Sequence, residues 1–129
     1  MTAKEVVQAF WEAMATNDFV AASKWLSADY ELSWPQSGER ILGPENFAAV
    51  NTNYPANGTW HFTLNALVAE ENEVVSDVSV TDGAVQARVI TFSAVEKAKI
   101  VKQIEFWPES FEAPAWRRAW VESSSPGAD

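Results

Sequence analysis

Glu105 is the residue of this sequence best placed to do chemistry. It lies near the end of the run KIVKQIEFW, Lys99–Trp107, with Ile104, Phe106 and Trp107 around it. A carboxylate with such neighbours must find a partner, take up a proton or face a wet cavity. In an apolar cavity its pKa rises, which suits a general acid or base near neutral pH. The structural alternative is an ion pair. Arg88 shares a strand face with Gln86, Ile90 and Phe92, and antiparallel pairing with the next strand brings it opposite Glu105 or diagonal to it. Both readings stay open at this point.

His61, the single histidine, is the second acid–base candidate. It sits between Trp60 and Phe62 near the start of a strand, and the strand register decides whether it faces in or out. Asp77 interrupts the apolar run Val74–Val80, and the alternation Val75, Asp77, Ser79, Thr81 puts it on an outer face. One histidine, no cysteine and no HExxH spacing give a metal site no support, and no cofactor is called for. Trp11, Met14, Trp34, Tyr54, Trp60, Gln103 and Trp107 are the candidate substrate-binding walls. Seven Trp and seven Phe among 129 residues either line a concave apolar site or fill a core.

The elements that must position these residues follow from periodicity. Thr2 and Glu5 form a capping box ahead of an apolar stripe at Val6, Val7, Phe10, Trp11 and Met14. Asn17-Asp18 breaks that helix and caps a second, Phe19 to about Leu26. Tyr30–Trp34 and Glu39–Leu42 read as a strand pair. Pro44 opens a third helix that turns Phe47, Val50 and Tyr54 inward and ends at Pro55. From Thr59 the period changes to 2, giving strands at Trp60–Ala69, Glu73–Thr81, Ala84–Ala94 and Lys99–Trp107. Their connectors are too short for crossover helices, so they form an antiparallel meander. In the last strand Val101, Gln103, Glu105 and Trp107 share one face, and Ile100, Lys102, Ile104 and Phe106 the other. Large apolar groups on both faces mean that both are covered. Pro114 starts a final turn in which Trp116 and Trp120 are expected to pack as a lid or edge over the mouth of the barrel.

Helices in front of strands make an α+β domain with helices packed on one face of a curved sheet, spanning residues 1–122, followed by a disordered tail over 123–129. With 47% hydrophobic residues it can bury a core without staples. The formal charge of -9 repels nucleic acid and anionic membrane, so neither is expected as a partner. No apolar segment is long enough to span a bilayer and none reads as a secretion signal, so a cytoplasmic location is expected. Asn57-Gly58-Thr59 matches a glycosylation sequon but reads as an ordinary Asn-Gly turn.

The segment VVQAFWEAMATNDFVAASKWLSADYELSWPQSGERILGPENF and the segment KIVKQIEFWPESFEAPAWRRAWVE together resemble the nuclear transport factor 2-like superfamily, in its SnoaL-like, polyketide-cyclase-like branch. That resemblance implies a cystatin-type, cone-shaped α+β barrel with a curved antiparallel sheet and a pocket for a small apolar molecule. It also implies a homodimer through the outer sheet face. In epoxide hydrolases of the superfamily a catalytic carboxylate falls at the position of Glu105, but Leu32 and Trp34 stand where those enzymes carry Tyr and Asn. Ketosteroid isomerases use Tyr, Asp and Asp where this chain has Phe10, Trp34 and Ile90. Neither set is complete. The cyclases need one acid–base carboxylate in an apolar pocket, a role open to Glu105. A cofactor-free lyase, isomerase or cyclase is therefore the expected activity, and a non-catalytic ligand-binding or homodimeric assembly module with a Glu105–Arg88 pair is the alternative.

Overall fold

The computed structural model describes residues 1–124. The chain runs α1 (Ala3–Ala15), α2 (Phe19–Ser23), β1 (Leu26–Trp34), β2 (Glu39–Leu42), α3 (Pro44–Asn53), β3 (His61–Glu70), β4 (Glu73–Thr81), β5 (Gln86–Glu96) and β6 (Lys99–Phe106), then a 3-10 turn at Ala115–Trp120. Thr2 and Glu5 form the expected capping box on α1. Beyond the C-cap Thr16 the chain turns at Asn17, whose φ of 64° suits an Asn in the left-handed region, and Asp18 then accepts the Ala21 N–H to cap α2. The second helix stops at Ser23, short of the predicted Leu26. Leu26 is instead the first residue of β1, paired with Ile100.

The six strands form one sheet in the order β2-β1-β6-β5-β4-β3. The meander from β3 to β6 is antiparallel, as the short connectors require. The sheet as a whole is mixed, because β1 lies parallel to β6. Strand β2, helix α3 and the long excursion through β3–β5 separate these two strands in the chain, and nothing in the local pattern reveals that they meet. Helix α1 lies across β3, β4, β5 and β6 and buries Val6, Val7, Phe10 and Trp11 against Val74, Val78 and Val89. This burial drives the fold, at about 25 cal/mol per Å² of apolar surface removed from water.

A register shift between Ala94 and Val95 corrects the expected faces of β6. Val101 is the extra residue, so Ile100 joins Gln103 and Glu105 on the inner face, while Lys102, Ile104 and Phe106 face outward. Trp116 and Trp120 are 73% and 79% exposed. They do not pack as a lid. The predicted tail falls mainly on residues 125–129, outside the described residues.

Candidate functional site

Beneath α1 and α3, an apolar cavity of about 120 Å³ opens between the helices and the inner face of the sheet. Helix α1 contributes Phe10, Trp11 and Met14, the end of β1 contributes Leu32 and Trp34, and α3 contributes Phe47 and Asn51. Phe62, Val80, Ala87, Glu105 and Trp107 complete the sheet side, with Tyr54, Trp60 and Val85 toward the mouth. Six of the seven predicted wall residues line it. Trp34, Tyr54, Val80, Val85, Ala87 and Trp107 also border a wider groove, so the cavity has a way out.

Glu105 is the acidic side chain of this cavity, and it is 8% exposed. Its Oε1 accepts the indole N–H of Trp34 at 2.9 Å and that of Trp107 at 3.3 Å. Its Oε2 lies 2.7 Å from the Thr91 hydroxyl. Burial pushes the carboxyl pKa up, and the donors Trp34, Thr91 and Trp107 partly oppose the rise. An indole can only donate, so Oε1 is an acceptor in either protonation state. Oε2 has more freedom. Thr91 can donate to the carboxylate or accept from the acid, which leaves a proton able to come and go at Oε2.

Arg88 is not part of this arrangement. It faces outward and holds Asp77 through two hydrogen bonds, at 2.5 and 2.6 Å. The strand pairing places Thr91 opposite Glu105 and Ser79 opposite Arg88, three positions from the expected register. The Glu105–Arg88 pair is therefore corrected to Glu105–Thr91 and Arg88–Asp77. Asp77 keeps its expected outer position. His61 pairs with Thr81 at the exposed edge of β3, while its neighbour Phe62 turns inward. It lies off the cavity wall.

Gln103 is also displaced from its predicted role. It is 1% exposed and sits deeper than the cavity, where it accepts the Tyr30 hydroxyl at 2.5 Å and donates to Ser93 at 3.1 Å. Burial pushes the Tyr30 hydroxyl pKa well above its ordinary value, with the charge of Glu105 adding to the rise. Tyr30 therefore donates at any ordinary pH. Trp11 is fixed by its own indole, which donates to Ser76 at 3.1 Å. The backbone of Trp60 is clamped to Asn17 in both directions, each bond 2.8 Å long.

The sequence reading missed Asp82 as a positioning group. Its carboxylate accepts the backbone N–H groups of Ala84, Val85 and Asn57. These bonds hold the carboxyl well below the usual range, and they pin the loop ahead of Trp60 to the β4–β5 turn. Gly58 lets that loop approach, since a Cβ there would sit 3.0 Å from the Asp82 carbonyl. In sequence, an Asp followed by Gly between two strands signals a turn and does not show which distant backbone groups the carboxylate reaches.

Among solved structures, a protein from Kribbella flavida, described provisionally as a ketosteroid isomerase, superimposes with a TM-score of 0.88 at 24% identity, covering 98% of this chain and 93% of that one. A nuclear transport factor 2-like protein of unknown function from Burkholderia xenovorans does so with a TM-score of 0.78 at 29% identity, covering 95% of each chain. A hypothetical protein of ketosteroid isomerase-like fold from Catenulispora acidiphila, solved with trimethylamine, gives 0.68 at 16% identity, covering 78% and 83%. No protein of curated function matches the sequence. The SnoaL-like domain family matches residues 7–103, from the first turns of α1 to Gln103 of β6. With helices, sheet and cavity wall falling almost wholly within that span, the chain belongs to the SnoaL-like domain family.

Proposed function

We propose that this protein is a small-molecule pocket enzyme of the SnoaL-like type. It holds an apolar or aromatic metabolite in the cavity and moves a proton with Glu105, as a cofactor-free lyase, isomerase or cyclase. The observation that carries this reading is the Glu105 carboxyl itself, buried on an apolar cavity wall with its proton affinity raised. A buried carboxyl with a raised pKa on a cavity wall is suited to give a proton to a bound molecule or take one from it. The non-catalytic alternative, motivated by the incomplete acid–base sets, included a structural Glu105–Arg88 pair; that pair is absent, since Arg88 is bound to Asp77. Nitroethane in deuterium oxide is a probe small enough for the cavity. Wild-type protein should accelerate its carbon–hydrogen exchange, and Glu105→Gln should lose that acceleration by roughly a hundredfold. Equal exchange with the two proteins would reject the proton-transfer reading.

The outer face of the sheet supports a second element of the proposal, a homodimer. Phe92 is 45% exposed and meets Phe106 edge-on at 6.2 Å between ring centroids. Ile104 lies opposite Phe92, and Ile90 opposite Phe106. An apolar patch of this kind on a sheet face suits a second copy of the chain. Light scattering should give the mass of a dimer, and Phe92→Glu that of a monomer. A monomeric wild type at micromolar concentration would overturn this assignment.

A further inference from the structure

The cavity wall combines two features that an apolar ligand alone would not need. The first is a set of indoles: Trp11, Trp34, Trp60 and Trp107 all border the same small space. Trp11 stands 5.9 Å from the Phe62 ring and Trp60 stands 6.1 Å from Tyr54, so the aromatic lining is continuous on both sides. Ring faces attract cations, and Trp does so most strongly. The second feature is Glu105. All three donors to it are neutral, two indoles and a hydroxyl, and no cationic side chain lines the cavity among the described residues. Arg88, the partner that the sequence suggested, is bound to Asp77 on the outer face. The carboxylate is thus hydrogen-bonded but without a counter-charge.

Resting on the pocket reading above, we propose that the ligand of this cavity is a small alkylammonium cation, seated with its methyl or methylene groups against the indoles and its charge beside Glu105. Beside a neutral ligand Glu105 stays in the protonated form that burial favours, whereas a cation supplies the counter-charge that the ionised carboxylate lacks, and an anion would be repelled by that charge. Size agrees. A cavity of about 120 Å³ is close to the engineered space of about 150 Å³ that accepts benzene. The ligand therefore has roughly six heavy atoms inside, with any longer substituent pointing to the groove. Glu39 and Glu109 border that groove together with Arg88, whose charge Asp77 offsets, and the net charge of -9 draws cations toward the molecule. In a tertiary ammonium the N–H proton lies against the carboxylate, so the group that exchanges protons also anchors the ligand.

The test is a pair of titrations of the full chain, followed by tryptophan fluorescence. One uses choline and the other its neutral isostere, in which a quaternary carbon replaces the nitrogen. Choline should bind at least about tenfold more tightly, a difference of about 1.4 kcal/mol. Glu105→Gln should remove the preference, the loss of affinity falling on choline. Trp60→Leu takes away one ring without touching a hydrogen bond of Glu105, and should weaken choline more than the isostere. Equal or tighter binding of the isostere would overturn the cationic assignment and leave the apolar pocket standing. Binding of neither compound would overturn both.

Discussion

The indole N–H of Trp34 lies 2.9 Å from Oε1 of Glu105, a contact made possible by the parallel pairing of β1 with β6. That pairing sets Ser33 beside Ile104, so the next residue of each strand meets the other. Trp34 therefore both walls the cavity and fixes the carboxylate within it. Trp107 supplies the second indole to the same oxygen at 3.3 Å, and the remaining freedom of the carboxyl is confined to Oε2 and Thr91.

Thr91→Val tests that division of roles. It removes the donor to Oε2 while keeping the shape of the side chain, so the charged form of Glu105 loses support. The Glu105 midpoint should move further upward, and any proton-transfer activity should show its pH profile displaced in the same direction. Stability should fall by about 1 kcal/mol, the ordinary worth of such a bond. An unchanged midpoint would mean that Thr91 does not hold the proton-bearing oxygen.

Glu105 also predicts how stability responds to pH. Its folded pKa lies above the unfolded value, so the folded state holds more protons between the two. Its contribution is fully present below the unfolded pKa and is lost as pH rises through the folded one. Glu105→Gln keeps an acceptor for both indoles and cannot ionise. The variant should match wild type below the unfolded pKa and exceed it increasingly as pH rises from there to the folded pKa. Thermal melts across that range check the crossover. A variant less stable than wild type at neutral pH would show that the ionised carboxylate is a net asset to the fold.

Arg88→Ala should be mild. The Arg88–Asp77 pair is on the outer face with the arginine side chain 54% exposed, and exposed pairs contribute little. Combined with Glu105→Gln, the effects on melting temperature should add, because the two residues share no partner. Strong coupling would mean that they communicate by a route other than the hydrogen bonds seen here.

Asp82→Ala should lower the melting temperature by several degrees, since it orphans backbone donors on both sides of the cavity mouth. The depressed pKa sets the sign of the acid response. Its contribution is present above the unfolded pKa and disappears as pH falls through the folded value. The gap between wild type and Asp82→Ala should therefore narrow only in strong acid. A gap that closes already at about pH 5 would assign the acid response to other carboxylates.

Much of this architecture is written locally. The capping box at Thr2 and Glu5, the break at Asn17-Asp18, and strand β4 all follow from patterns within a few residues. The choice of Glu105 is legible for the same reason, since a carboxylate among Ile104, Phe106 and Trp107 is conspicuous in any register. What could not be read is pairing. The extra residue Val101 and the three-position offset between β5 and β6 decide that Thr91, not Arg88, faces Glu105. The parallel contact of β1 with β6 brings Trp34 to the same carboxylate across 71 positions of sequence. The misplacement of Gln103 has another cause. Its face was right, but depth along the strand separates a cavity wall from a filled core, and alternation does not encode depth.

The most direct measurement is a carbon NMR titration of the Glu105 carboxyl, assigned by its disappearance in Glu105→Gln, in the free protein and with the cavity occupied by choline. The account predicts a midpoint above the ordinary glutamate value of about 4.3 in the free protein, moving downward when the cation is bound beside the carboxylate. A midpoint at or below the ordinary value, unmoved by any cavity ligand, would contradict the claim that Glu105 is the proton-exchanging wall of this pocket.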